Sequence, residues 1–217
     1  MSNPNIKIIN LLVMVACGGL FSDVQSKTSP NIVLILADDL GYSDLGSYGS
    51  EISTPNLDRL SSLGVRFANY HTAASCAPTR AMLITGLDSH TVGVPNIPEA
   101  IPEEQSADPR YQGVLSTEFE TLPEMLKPKS YRTYFAGKWH LGMDKKRLPV
   151  ARGFDRSLTM ADTGSDNWEQ KPYLPIYGEA NWFEDGERIR LPDDFYSSEF
   201  IVDKTIEYIR QDERKGD

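Results

Sequence analysis

The chain has 217 residues, of which 40% are hydrophobic and 10% aromatic, enough apolar material for one substantial core or part of a larger one. Its 31 acidic against 22 basic side chains give a formal charge of −9, which excludes a nucleic-acid binder built on a broad basic face. Only Lys145, Lys146 and Arg147 cluster, and so short a basic run reads as a solvated loop.

Residues 1–26 differ from everything that follows. Lys7 precedes the stretch IINLLVMVACGGLF, which Asn10 and two glycines make too short and too interrupted for a membrane span. It reads as a signal peptide, with lipoprotein processing at Cys17 as the second option. The expected location is therefore periplasmic or extracellular, with a lipid anchor in the second case. Removal or lipidation of Cys17 leaves Cys76 without an intramolecular partner. In an oxidising compartment such a thiol points to intermolecular pairing, reactivity or modification.

NIVLILADDLG, from Asn31 to Gly41, is a β-branched and leucine run ended by two acids and a glycine, the pattern of a strand buried on both faces. TPNLDRLSSLG predicts a helix capped at Thr54, with Pro55 in its first turn, Leu57, Leu60 and Leu63 on one face, and Gly64 as its stop. Val65 and Phe67 then open another strand. SCAPTRAMLITG predicts a helix with Cys76 at its start, Pro78 in the first turn and a stop near Gly86. Thr121 and Glu124 form a capping box for a short helix through Leu126, followed by a strand from Tyr131 to Ala136.

Residues 142–196 hold many prolines, glycines and aromatics and read as loops, with WFEDGERIRL as a hairpin turning at Asp185 and Gly186. Their aromatics Trp168, Tyr173, Tyr177 and Trp182 suit either a leaving-group pocket or the core. The closing segment from Tyr196 predicts an amphipathic helix with Val202, Ile206 and Ile209 on one face. Strands alternating with helices give an α/β fold with a mixed, largely parallel central sheet flanked by helices, whose ligands sit at the carboxyl ends of strands.

Three groups of residues carry chemistry. Asp38 and Asp39 follow the first strand, and if the backbone has already broken into a loop they converge as hard oxygen donors for Ca²⁺ or Mg²⁺; the alternative is a solvated strand end. Cys76 stands at a helix N-terminus, where free amides and the dipole favour an anion, and Arg80 adds a planar donor fork one turn in. A buried cysteine with a surface arginine is the competing reading. Lys138 and His140 are two residues apart, so in extended backbone they leave one face while Trp139 turns into packing. His71 and His90 have no comparable company.

In this order and spacing these residues resemble the sulfatase family. Cys76, Pro78, Thr79, Arg80, Thr85 and Gly86 match its first signature, and YRTYFAGKWHLG matches the second, with Ser130 where many members have glycine. DSHTVGVPNIPE, ARGFDRS and LPDDFYSSEFIVDKTIEYI resemble the bacterial arylsulfatase branch. The resemblance implies an alkaline-phosphatase-like fold over residues 31–217 and hydrolysis of sulfate monoesters, of aryl or sugar type. It also implies that a separate maturation enzyme oxidises Cys76 to formylglycine, whose hydrated aldehyde is the nucleophile and whose oxygen touches the metal. Asp38 and Asp39 are implied as ligands of Ca²⁺, with Mg²⁺ as second choice. Arg80 is implied to hold the formylglycine, Lys138 to bind a sulfate oxygen, and His140 to hydrogen-bond the second hydroxyl and take its proton.

Family members usually continue beyond this length and draw further metal, sulfate and leaving-group residues from their later part. The expectation is therefore an N-terminal portion of a sulfatase catalytic domain, completed by further sequence or by a separate chain. The alternatives are a phosphate or phosphonate monoester hydrolase with the same site, and an inactive fragment that acts only as a binding partner.

Overall fold

The computed structural model describes residues 29–105 and 107–213, and the chain divides into two units, Met1–Ala37 and Asp38–Asp217. The signal-peptide reading of residues 1–26 and the lipoprotein option at Cys17 lie outside the described residues. In the first unit, residues 29–37 are exposed and form no strand, so the expected central strand starting at Asn31 is not made. Ile32, Val33, Leu34 and Ile35 are 60%, 80%, 58% and 72% exposed. Strand propensity favours extension, but a strand also needs a hydrogen-bonded neighbour, so propensity alone does not make one.

The second unit begins with helix α1, Pro55–Leu63, which carries proline at its start as expected. Its leucines are not buried; the segment is held by polar contacts, Asp58 accepting from the Ser47 amide at 2.7 Å and from the Thr54 hydroxyl at 3.0 Å. The strand expected from Val65 is also absent, and Val65, Phe67 and Tyr70 are exposed.

From Cys76 onward the sequence pattern and the fold agree better. Helix α2, Cys76–Thr85, ends where Gly86 takes a left-handed φ of 71° and its N–H closes on Met82 O, a C-cap that glycine adopts without a Cβ clash. Ala77 and Ala81 give α2 a small-residue face that packs on Val92, Val94, Leu115, Trp139 and Leu141. Helix α3, Leu122–Leu126, opens at Thr121, whose N–H donates to Glu124 Oε2 at 2.7 Å as the capping box predicts. Ser130, where the signature favours glycine, has a left-handed φ of 62°.

The sheet contains β1 (Tyr134–Lys138), β2 (Arg156–Met160), β3 (Trp182–Glu184) and β4 (Glu187–Ile189) in that order. It is mixed: β1 and β2 run parallel with Tyr134 opposite Arg156 and Lys138 opposite Met160, while β2–β3 and β3–β4 are antiparallel. The expected hairpin is β3–β4, with Asp185 and Gly186 both left-handed at φ 50° and 87° as a two-residue primed turn requires. Strand β2 was hidden in a segment whose prolines and glycines signal loops.

Helix α4, Ser197–Glu213, closes the described chain but buries a different face from the one its aliphatic spacing suggested. Val202, Ile206 and Ile209 are 55%, 38% and 42% exposed, whereas Phe200, Ile201 and Tyr208 pack against Leu158, Met160 and Trp182. The helix carries two apolar stripes, and the aromatic one wins. Tyr208 buries the larger surface while its hydroxyl reaches Glu184 Oε1 at 3.1 Å and Arg156 lies 4.5 Å over its ring.

Candidate active site

The parallel β1–β2 pair fixes Lys138 at the carboxyl end of β1, and Trp139 extends the ladder by donating its N–H to Met160 O at 2.8 Å. Trp139 then enters the core, 2% exposed, with Nε1 donating to Arg147 O at 2.9 Å. The chain turns sharply at the next residue: His140 has a φ of 55°, left-handed and costly for a side chain of this size. Lys138 and His140 do converge, as the sequence suggests, but a backbone turn brings them together rather than plain strand alternation.

The target of both is Cys76. Its Sγ lies 3.2 Å from His140 Nδ1 at the N-terminus of α2, whose cap residue Ser75 makes no side-chain hydrogen bond to the helix. Burial raises the Cys76 thiol, but the hydrogen bond with His140 and the Lys138 charge outweigh it and bring its pKa down from 9.0 to about 7. Burial likewise opposes a charge on His140, and its contacts with Cys76 and Glu99 outweigh that to hold the imidazole above its ordinary value.

Arg80 and Lys138 meet at Asp38. Lys138 Nζ donates to Asp38 Oδ2 at 2.8 Å, and Arg80 Nη2 lies 3.4 Å from Oδ1. Arg80 Nη1 also donates to Lys138 O, tying helix α2 to the end of β1, while Arg80 Nε is buried without a partner among the described residues. Burial pushes the Asp38 carboxyl up, but the Lys138 hydrogen bond and the charges of Lys138 and Arg80 hold it below the usual range. Asp39 follows in a bend with φ 54°, so the break in regular backbone that convergence of the two acids requires is present.

A Ca²⁺ ion takes about six to eight oxygen ligands. Among the described residues no three His, Cys, Asp or Glu side chains assemble as a metal-holding group, and Asp38 is already engaged by two cations. Asp38, Asp39 and Cys76 alone therefore do not make a complete cation site.

The sequence pattern did not single out Glu99, which lies in the 3-10 turn Pro98–Ala100 with Oε2 3.3 Å from His140 Nε2. The Tyr177 hydroxyl donates to its other oxygen at 2.8 Å. Of the remaining aromatics, Trp182 is core at 1% exposure, and Tyr173 and Trp168 are exposed, Trp168 stacking on Tyr196 at 5.3 Å. His71 and His90 are exposed and contact Asn69 and Asp88, away from Cys76.

Comparison with known proteins gives this constellation its context. The family model described as Sulfatase matches residues 30–217. The chain belongs to the sulfatase family. This sulfatase chain is 36% identical over 205 residues to an arylsulfatase of Klebsiella aerogenes, covering 91% of the chain and 42% of that relative. It is 35% identical over 207 residues to an uncharacterized sulfatase of Schizosaccharomyces pombe, covering 89% of the chain and 37% of the relative. The sulfatase chain thus spans about two fifths of those relatives' length.

Among solved structures, Ps i-CgsB in complex with k-i-k-neocarrahexaose matches with a TM-score of 0.69 at 27% identity, covering 85% of this chain and 42% of that one. A protein solved with its substrate D-glucosamine-2-N,6-O-disulfate matches with a TM-score of 0.64 at 26% identity, covering 84% and 31%. The alkaline-phosphatase-like α/β fold implied by the sequence is the fold of these neighbours. Among the described residues no helix is long and apolar enough to cross a membrane.

Proposed function

We propose that this chain carries the nucleophile and the anion clamp of a sulfate monoester hydrolase. The observation that carries the reading is the approach of His140 Nδ1 to Cys76 Sγ at 3.2 Å, on a helix N-terminus flanked by Arg80 and Lys138. Three positive or proton-bearing groups and the α2 amides around one reactive side chain suit a tetrahedral oxyanion.

Oxidation of Cys76 to formylglycine by a maturation enzyme supplies a hydrated aldehyde, the nucleophile of this reading. The residues of the chain do the rest. Arg80 braces the end of β1 through Lys138 O and Asp38; Lys138 binds a sulfate oxygen; His140 keeps its proton on Nε2 toward Glu99 and takes the proton from the hydroxyl at the Cys76 position on Nδ1 as sulfate departs. Asp38 and Asp39 are proposed as contributors to a Ca²⁺ site, Mg²⁺ being second choice, whose remaining oxygens come from elsewhere. The substrate class we propose is a sulfated sugar or aryl sulfate; the neighbour solved with D-glucosamine-2-N,6-O-disulfate supports the first and the similarity to an arylsulfatase the second. Export by the N-terminal segment, and further sequence or a partner chain completing the site, belong to the same proposal.

The test is the mass of the Cys76-containing peptide from the native producer, followed by turnover of an aryl sulfate against the matching aryl phosphate. Aldehyde at Cys76 with preferred sulfate hydrolysis supports the reading. Faster phosphate hydrolysis replaces it with the phosphoesterase alternative, and an unmodified thiol without turnover leaves a binding role.

A further inference from the structure

We infer that Glu99 is a positioning residue for His140 and that Tyr177 fixes Glu99 in turn, so that Tyr177, Glu99, His140 and Cys76 act as one hydrogen-bonded chain. The inference deepens the proposed function and rests on it for the step that His140 performs.

The four residues come from four separate segments: α2, the Pro98–Ala100 turn, the residue after β1 turns, and the β2–β3 connection. An imidazole has two distinct nitrogens, and a half-turn of the ring puts a carbon where each of them stood. With Nε2 against Glu99 Oε2, the ring is fixed with Nδ1 facing Cys76, placed to exchange a proton there. His140 is 2% and Glu99 7% exposed in their side chains, so water does not compete for either contact.

A buried carboxylate is costly unless its oxygens are hydrogen-bonded, and Glu99 has a partner on each: His140 on Oε2, Tyr177 on Oε1. Burial pushes its carboxyl up, but His140, its own backbone amide and Tyr177 outweigh that and keep it below its ordinary value. The neighbouring Asp162 is satisfied differently, by the Asn181 backbone and side-chain amides at 2.7 and 2.9 Å, and makes no bond to His140. The left-handed backbone of His140 points the same way, since strain of that kind persists where surrounding contacts over-determine a side chain.

The experiment compares wild type with Glu99→Gln, Glu99→Ala and Tyr177→Phe by two readouts. In the matured protein, aryl sulfate kcat falls about 10- to 100-fold in both Glu99 variants with KM within about twofold, and less in Tyr177→Phe. In the unmodified chain, ¹H–¹⁵N NMR finds a downfield, slowly exchanging proton on His140 Nε2 that is lost in Glu99→Ala and exchanges faster in Tyr177→Phe. Glu99 variants with wild-type kcat, or an Nε2 proton indifferent to them, overturn the inference. A matured wild type that turns nothing over overturns the proposed function instead, and the ring proton then decides the inference alone. Should the Glu99 variants fail to fold, Tyr177→Phe, which removes one hydroxyl, decides it by the same ring proton.

Discussion

Cys76 and His140 stand 64 positions apart in sequence, yet Sγ and Nδ1 come within 3.2 Å because the parallel β1–β2 pair ends directly opposite the start of α2. The pair shares the electrostatic consequence: the thiol is depressed and the imidazole raised.

Thiol acidity is the direct readout. The Cys76 alkylation rate should rise with a midpoint near pH 7 in wild type, and the midpoint should move up towards the ordinary 9.0 in His140→Ala. The linked stability has a definite sign. A depressed thiol stabilises the fold fully above its ordinary 9.0 and loses that contribution as pH falls through about 7. The raised His140 acts oppositely: its contribution is complete below the ordinary 6.5 and fades as pH rises through the raised value. Urea unfolding across pH should therefore show the pair's contribution falling off at both ends.

Two substitutions at Cys76 test the proposed nucleophile. Under that proposal Cys76→Ala should abolish aryl sulfate turnover, since no attacking atom remains. Cys76→Ser attacks sulfur and releases the alcohol but has no second hydroxyl to expel sulfate, so intact mass should gain one sulfo group. A serine variant that turns over normally would sink the scheme.

Arg80→Lys is not conservative here. Lysine cannot reach both Lys138 O and Asp38 as a planar fork does, and a loss of about 1.5–3 kcal/mol in urea unfolding is expected. Asp38→Asn leaves Lys138 and Arg80 without their carboxylate, so inorganic sulfate should bind more tightly by calorimetry.

Ser130→Gly should stabilise the protein by up to about 1 kcal/mol, because Ser130 holds a left-handed φ of 62° in an exposed turn that glycine adopts freely. The midpoint of chemical denaturation checks this, and a lowered midpoint counts against it.

The face of α4 is tested by contrast. Tyr208→Ala should cost about 3–5 kcal/mol, while Val202→Ser and Ile206→Ser should stay within about 0.5 kcal/mol of wild type. Equal losses at Tyr208 and Val202 would contradict the packing described.

Much of the site was legible because its signals are local. Pro78 and Gly86 mark both ends of α2, Asp185–Gly186 specifies a primed turn, and Thr121 with Glu124 opens α3. Lys138 and His140 were recognisable by their spacing around a core tryptophan. Glu99, the last residue of DSHTVGVPNIPE, and Tyr177, one of the loop aromatics, had no legible chemical role, because only the packing of distant segments gives them a partner.

The failures have the same origin. The run from Asn31 and the leucines of α1 have the composition of buried elements, but burial depends on more than composition, and these side chains are exposed. Sequence by itself determined the candidate Cys76 and its helix, the turn chemistry and the family, since each depends on residues close together in the chain. Tertiary structure decided which helix face is buried, the strand hidden in the loop region, the left-handed turn that aims His140, and the carboxylate behind it. Those depend on which surfaces meet, and free energy of burial and of charge pairing is set by contacts across the fold rather than along the chain.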